Sequence, residues 1–434
     1  MTATIILLGS FFLLIFLGNQ ILFSIGASTL LTVIYLGIPL QTVAQQTVKG
    51  LNSFSLMAVP FFILAGEIMS AGGITRRLVT LAEALVGWMR CGLGMVNIVA
   101  SMFFGGISGS PTADVSSIGA MMIPIMEDNG YDTEFSSAVT MSSSVQGLLI
   151  PPSHNMVIFA MAAGGVSVGQ LFMGGLIPGI FLGLALMVYC YIVARKRNYP
   201  VGERFSIRRA GKAIWEGIWG LGTILIVVIG VVSGVFTATE SAAIACVYAL
   251  IVTFVVYREI PLREIGPILV RSLKTLAIVM ALIGVSSAFG WVVSYLQIPA
   301  KLTALLLGIS SNKIVLLLLI NLILLLMGTM MDMICSILIL TPIILPVVAA
   351  VGMGPIQLGV VMILNLGIGL ITPPVGVLLF VCSAISKRSI EQLTKAMLPF
   401  YAVMLAVLLA ITFIPALSTA LPDLIYHLSG TGGG

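Results

Sequence analysis

Apolar segments of membrane-spanning length follow one another along almost the whole chain. A helix needs about 20 mostly apolar residues to cross a bilayer. Only 8% of the 434 residues are charged, so the chain cannot cover itself with polar surface and lipid must be its solvent. We predict spans at about 3–19, 21–38, 53–70, 135–163, 171–194, 217–235, 239–257, 270–291, 355–384 and 396–416. The first two resemble a signal sequence only superficially, because they lack a basic start and a small-residue cleavage site.

Two further apolar stretches, 92–126 and 313–347, are too long for a single span. Small or polar residues interrupt each stretch near its middle, as SGSPT at Ser108–Thr112 and as MGTMMD at Met327–Asp332. Each stretch is one long tilted helix with a weak point or, as we predict, a re-entrant hairpin that enters and leaves by the same face. Irregular backbone at that depth requires shelter by protein or by a water-filled cavity.

The distribution of basic residues supports both hairpins. If the N-terminus lies outside and both stretches are hairpins, 17 of the 20 Lys and Arg residues lie inside, and only Lys49, Lys301 and Lys313 lie outside. This matches the positive-inside rule, and a full span at either stretch would reverse everything after it. The net charge of +5 therefore reflects loops that face the cytoplasm, not a nucleic-acid partner.

Similar motifs recur in the same order in both halves of the chain. Ile38-Pro39-Leu40 recurs at 260–262, Asp114 and Pro124 recur as Asp332 and Pro342, and GLLIPP at 147–152 recurs as GLITPP at 369–374. We predict an all-α protein of two inverted repeats, 1–194 and 217–429, joined by a basic linker at 195–216. Inverted repeats with interrupted helices are typical of secondary transporters. The final residues, 430–434, look foreign to the protein.

The motifs GLLIPPSHN and GLITPPVG lie inside long apolar segments. Two adjacent prolines after a glycine should unwind a helix, because proline lacks the backbone donor and clashes with the preceding turn. Unwinding frees carbonyl oxygens, which suit a hard cation such as sodium. The alternative is a kink that serves packing only; two symmetric motifs, each after a hairpin, favour a functional role.

The hairpin tips offer the other half of each site. Ser108, Ser110 and Thr112 lie in the first tip, and Gly328 and Thr329 lie in the second. Their oxygens can complete a sodium shell or hold a carboxylate, and the N-terminus of the returning half-helix adds a positive dipole end. The alternative is that small residues only allow close packing.

Asp114 and Asp332 are the most prominent intramembrane acids. Intramembrane charges are expensive and are therefore functional candidates, although each acid also lies where it can cap a returning helix or sit in its first turn. Glu67 is a weaker candidate. Thr237 and Glu240 have capping-box spacing, so we expect Glu240 to be structural.

Several other functions are excluded by missing motifs. We find no Walker motif, so an ion gradient rather than ATP is the expected energy source. The five cysteines have no metal-binding spacing, and we find no catalytic constellation, so we expect no enzyme. No Lys or Arg falls in the predicted midplane, so an anionic substrate would depend on helix ends, hydroxyls, backbone amides and bound cations.

Four segments together resemble the large membrane subunit of tripartite ATP-independent periplasmic (TRAP) transporters. They are SFSLMAVPFFILAGEIM, GGISGSPTADVSSIGAMMIPIM, LLIPPSHNMVIF and GLITPPVGVLLF. The resemblance implies a sodium-coupled, elevator-type importer of organic acids in the bacterial inner membrane. It also implies a small membrane subunit and a periplasmic substrate-binding protein as partners. The paired tips and breaks are also similar to those of stand-alone divalent anion–sodium symporters.

Transferred to this chain, the resemblance implies two sodium sites with the substrate between them. One site joins Ser108–Thr112 to Gly147–Asn155, and the other joins Gly328–Asp332 to Gly367–Pro374. The expected sodium-binding residues are Ser108, Ser110, Thr112, Gly147, Pro151, Gly328, Thr329, Asp332, Gly367 and Thr372. The expected substrate-binding residues are Thr112, Ser153, Asn155 and Thr372. The sequence leaves open whether the substrate is sialic acid, a C4-dicarboxylate or another carboxylate, and a channel or membrane-embedded enzyme is the remaining rival.

Overall fold

The computed structural model describes residues 2–202, 206–309 and 312–428, and all regular secondary structure within them is helical. Seven helices in the described part are long and apolar enough to cross a membrane, or eight if one bent pair is counted as a single span. The tail at 430–434 and residues 203–205 of the predicted linker lie outside the described residues. The predicted all-α membrane fold is confirmed.

The first half contains eleven α-helices. The first hairpin is interrupted by a π-helical turn, Val115–Gly119, between α7 and α8. A short 3₁₀ turn, Phe54–Met57, precedes α4. The helices are α1 Thr2–Phe16, α2 Ile21–Tyr35, α3 Leu40–Leu51, α4 Ala58–Ala71, α5 Ile74–Val86, α6 Gly92–Ser108, α7 Pro111–Asp114, α8 Ala120–Asp128, α9 Thr133–Gly147, α10 His154–Ala162 and α11 Val168–Arg197.

The second half contains the remaining ten. A π-helical stretch, Val252–Tyr257, extends α13, and a 3₁₀ turn, Leu262–Glu264, precedes α14. The helices are α12 Ile207–Val232, α13 Ala238–Ile251, α14 Ile265–Tyr295, α15 Ile298–Ile309, α16 Lys313–Met330, α17 Met333–Ala350, α18 Pro355–Leu370, α19 Val377–Ser386, α20 Ile390–Phe413 and α21 Ala416–Leu428.

The predicted span 53–70 corresponds to α4, which ends at Ala71. A second helix, α5, follows after a bend of 73° and was not predicted from the sequence. The bend falls at Gly72-Gly73, and Gly73 has a φ of +72°, a left-handed conformation that favours glycine. The short helices α3, α15 and α21 were also missed, because they are shorter than a span and lie between or after the predicted segments.

Both long apolar stretches fold as paired legs whose outer ends lie together. In the first, Asn97 near the start of α6 donates to Met126 Sδ near the end of α8, at 3.8 Å. In the second, a Cβ on Gly352, just after α17, would lie 3.8 Å from Lys313 Nζ at the start of α16. The chain therefore reverses at each predicted tip. The positions of these legs within the membrane, and the inverted orientation of the halves, stay predictions.

Both predicted breaks are present as helix interruptions. The first lies between α9 and α10, and the second lies between α18 and α19. The Pro151-Pro152 and Pro373-Pro374 peptide bonds are both cis.

One pair of glycines holds each hairpin against its own broken helix. Gly105 on α6 contacts the backbone of Gly147 on α9, and Gly328 on α16 contacts the backbone of Gly369 on α18. Small residues permit such close approach of helix backbones. Each hairpin and its broken helix therefore form one packed unit, which we call the first and the second hairpin unit.

Two ion pairs join helix ends that lie at one face of the molecule. Asp132, before α9, pairs with Arg197 at the end of α11, while Glu134 pairs with Arg388 before α20 at 3.3 Å. In the predicted topology all these helix ends lie on the cytoplasmic side. The capping box predicted at Thr237 and Glu240 is confirmed at the start of α13.

Candidate substrate and cation site

The two hairpin tips and the two helix breaks meet around one cavity of about 430 Å³. The first unit contributes its tip and the start of α10, and the second contributes Asp332 with the two ends of its break. Helices α4 and α14 form the opposite wall. The cavity thus lies between the hairpin units and helices that belong to neither unit.

The first tip is shaped by its own sequence. Gly109 turns the chain at a φ of +60°, and Ser110 then caps α7, because its Oγ accepts a hydrogen bond from Ala113 N at 3.3 Å. Pro111 occupies the first helical turn, where its missing N–H costs nothing. Asn155 Nδ2 donates to Gly109 O at 3.1 Å, so this hydrogen bond holds the tip against its break.

The helix that follows the second tip is capped by an aspartate, whereas the helix that follows the first tip is capped by a serine. Asp332 caps α17, and its Oδ1 accepts from Ile334 N at 2.9 Å. The rest of its side chain is exposed in the cavity. Capping is therefore confirmed for Asp332, and it leaves carboxylate lone pairs free for a cation. Asp114 lies in the first turn of α7, as the alternative to capping predicted, while Ser110 is the cap of that helix.

Two threonines of the second unit donate their hydroxyls to backbone carbonyls three or four residues earlier in the chain. Thr329 Oγ1 donates to Leu326 O at 2.8 Å, and Thr372 Oγ1 donates to Ile368 O at 2.7 Å. Such back-bonding is usual for a hydroxyl in an apolar segment. At the second break, the Tyr401 hydroxyl also donates to Ile371 O.

Five of the expected site residues line the cavity: Ser108, Ser110, Thr112, Asn155 and Asp332. The others lie in the units behind it: Gly147, Pro151, Ser153, Gly328, Thr329, Gly367 and Thr372. Several of these are contacts between helices. A Cβ on Gly367, for example, would lie 2.8 Å from Val145 Cγ1, so the two broken helices cross there. The hydroxyl of Ser153 is buried and has no hydrogen-bond partner.

Sequence reasoning missed much of the lining. His154 lines the cavity beside Asn155, and Ser116 follows the first tip by one turn. On the opposite wall Thr275 was missed, whereas Glu67 was a weaker candidate from the sequence; Glu67 lines the cavity and pairs with Arg271 at 3.5 Å. His154 lies inside the recognised break motif, which is a usable signal. The opposite wall carries no such signal, because α4 and α14 reach the cavity through long-range packing.

The lining combines two kinds of group. Asp332 and Glu67 offer carboxylate oxygens that suit a hard cation. Hydroxyls, an amide and the N-terminal ends of α10 and α17 suit an anion. No residue of the lining is Lys or Arg. Within the described residues, no group of three or more His, Cys, Asp or Glu side chains can hold a metal ion.

The chain matches the family described as "Tripartite ATP-independent periplasmic transporter, DctM component" over residues 8–417. The chain belongs to this family. The TRAP resemblance is therefore confirmed, and the protein is a multi-pass transport protein of the bacterial inner membrane rather than an enzyme.

Three relatives illustrate the range of the family. The isethionate TRAP transporter permease protein DctMQ of Oleidesulfovibrio alaskensis is 41% identical, over 95% of this chain and 65% of the relative. The sialic acid TRAP transporter large permease protein SiaM of Vibrio cholerae is 40% identical, over 88% and 89%. The C4-dicarboxylate TRAP transporter large permease protein DctM of Rhodobacter capsulatus is 35% identical, over 98% and 99%.

The fold is similar to that of a solved transporter, YdaH of Alcanivorax borkumensis. The TM-score is 0.61 at 16% identity, over 91% of this chain and 89% of YdaH. This likeness concerns the fold alone.

Proposed function

We propose that this chain is the large membrane subunit of a sodium-coupled importer of a small organic anion. The observation that carries the proposal is the convergence of two tips and two breaks on one cavity with carboxylates and hydroxyls but no Lys or Arg in its lining. An anion entering such a cavity needs a cation beside it. Sodium binding at the tips would therefore create the positive charge that the substrate requires.

The relatives support an organic anion as the substrate. Their names mention isethionate, sialic acid and C4-dicarboxylates, which are sulfonate or carboxylate anions. The same family supports two partners, a periplasmic substrate-binding protein and a small membrane subunit. The DctMQ relative is covered by this chain over only 65% of its length, which leaves room there for a second component.

We further propose an elevator mechanism, in which the two hairpin units move together against a fixed scaffold. Each unit is joined internally by its glycine contact. The units touch each other where Gly367 meets Val145. By contrast, α4 packs on α13 and α14, so we assign it to the scaffold. Rigid-body movement of packed elements is a common transport motion.

A disulfide across the boundary tests the elevator mechanism. Ser70 on α4 and Ser117 on the first hairpin lie with their hydroxyl oxygens 3.3 Å apart, so cysteines there are close enough to be bridged. The double variant Ser70→Cys/Ser117→Cys should lose uptake when oxidised and regain it on reduction. Full uptake by the crosslinked protein would rule out movement at this boundary.

Uptake into proteoliposomes tests the coupling and the partners together. The reconstituted chain with its small subunit should import substrate only with an inward sodium gradient and a loaded binding protein. Ser110→Leu and Thr329→Leu should weaken the sodium dependence, since each removes an oxygen ligand. Ser142→Ala is the control, because that buried hydroxyl donates only to its own helix. Unchanged sodium activation in both leucine variants would refute the tip sites, and uptake without partners would indicate a stand-alone symporter.

A further inference from the structure

Asp114 is a fully buried acidic residue that does not line the cavity. It lies on the returning leg of the first hairpin with 0% of its surface exposed. Its Oδ1 accepts a hydrogen bond from Ser101 Oγ on α6 at 3.3 Å, and its Oδ2 has no hydrogen-bond partner. The side chain therefore faces the interior of the first hairpin unit rather than the cavity.

A buried ionised carboxylate needs a compensating positive charge. Its removal from water costs several kcal/mol unless charge and hydrogen bonds compensate. Among the ion pairs of the described residues, none includes Asp114. A single serine hydroxyl at 3.3 Å is weak compensation for such a group.

Two serine hydroxyls lie in line with this carboxylate. Ser101 Oγ donates to Asp114 Oδ1, and Ser143 Oγ on α9 lies 3.0 Å from both Ser101 Oγ and Thr140 O, so its one proton serves either of them. One turn away, Asn97 donates to Thr140 Oγ1 at 2.7 Å, and its own Oδ1 has no partner. This orientation suits an ionised acid, and it leaves hydroxyl lone pairs available as ligands.

We propose that Asp114, Ser101 and Ser143 bind a sodium ion inside the first hairpin unit, apart from the cavity and from the tip sites. The ligands are hard oxygens, which favour alkali and alkaline-earth cations over transition metals. A single carboxylate matches a monovalent cation in charge. The site extends the sodium coupling proposed above: an ion between α6, α9 and the returning leg would hold the unit together as it moves.

Equilibrium binding of radioactive sodium to the purified full-length chain in detergent tests the site without any transport. Asp114→Asn keeps the shape of the side chain but removes its charge, and should bind one sodium fewer per chain than the unsubstituted protein. Ser142→Ala, the adjacent buried serine on α9, should bind the full number. If Asp114→Asn does not fold, Ser101→Ala and Ser143→Ala decide, and each should bind sodium more weakly.

A second substitution separates this site from the cavity. Asp332→Asn should also reduce sodium binding, and the double variant should lose the ions of both sites. An unchanged sodium count in Asp114→Asn or, where it does not fold, unchanged affinity in both serine variants, would overturn the proposal and indicate that the carboxyl holds a proton or a water. If the unsubstituted chain binds no sodium, the proposed coupling fails as well, so the two failures are distinguishable.

Discussion

The glycine contacts that hold each hairpin unit together make the sharpest prediction of stability. An added Cβ on Gly369 would overlap the backbone of Gly328, with its Cα at 2.6 Å and its O at 2.9 Å. Backbone atoms cannot rotate away as a side chain does. Overpacking of this kind costs about 1–3 kcal/mol, occasionally more, and we expect Gly369→Ala to lie at the upper end.

An added Cβ is less crowded on Gly328 than on Gly369, so the two substitutions can be ranked by their cost. A Cβ on Gly328 would meet Leu366 Cα at 3.1 Å and Gly369 Cα at 3.3 Å, separations that a shift of a few tenths of an ångström relieves. Gly328→Ala should therefore cost about 1 kcal/mol, at the lower end of the same range. Gly290→Ala on α14 is the control, because nothing lies within 4 Å of the added atom.

Thermal unfolding in detergent, followed by tryptophan fluorescence, measures the order. The melting temperature should fall most for Gly369→Ala, less for Gly328→Ala, and not at all for Gly290→Ala. Uptake should follow the same order, since a loosened unit cannot move as one body. Equal melting temperatures for Gly369→Ala and Gly290→Ala would refute the close backbone approach on which both hairpin units depend.

Three further predictions test the topology, the second tip, and the ion pair between Glu134 and Arg388. Cysteines near Arg90 and Glu127 should both label from the cytoplasmic side; labelling from opposite sides would make the first hairpin a full span. Asp332→Asn should retain the helix cap while sodium activation of uptake weakens, whereas Asp332→Ala should also lose about 1 kcal/mol of stability in denaturation; equal stability would argue against the cap. Arg388→Gln, which breaks a half-exposed pair with Glu134, should cost at most about 1 kcal/mol, and a larger loss would show that the pair is more than a surface contact.

The positions of the tips and breaks were predictable because their signals are local. The first chain reversal falls at Gly109-Ser110 and the second at Met331-Asp332, both inside the predicted windows. Glycine, proline and a capping side chain determine backbone conformation within a few residues, whatever the rest of the fold does. The same reasoning explains why the capping box before α13 was found.

The side-chain roles were less predictable, because they depend on long-range packing. Thr329 and Thr372 were expected as ligands, yet each hydroxyl donates to a backbone carbonyl three or four residues earlier. A hydroxyl in an apolar segment commonly forms this bond when no other acceptor is near. Its oxygen lone pairs stay available to a cation, so the ligand assignment stays a prediction. Glu67 was a weaker candidate from the sequence, but its place in the wall opposite the tips, beside Thr275, could not be predicted, since both residues lie far in sequence from either tip.

The two hairpin units share their mechanical construction but differ in chemistry. In each, a polar pair joins the first hairpin leg to the broken helix, four residues before that helix's contact glycine: Ser101 with Ser143 in the first unit, at 3.0 Å, and Asn321 with Asn365 in the second, at 2.8 Å. The second pair is joined by Asn365 Nδ2, which donates to Asn321 Oδ1, while Asn365 Oδ1 has no hydrogen-bond partner. The first ends on the carboxylate of Asp114, which has no equivalent in the second pair. In the proposed elevator mechanism the same packing moves both units as one body, and in the proposal of an interior sodium site only the first unit depends on a cation beside its buried carboxylate.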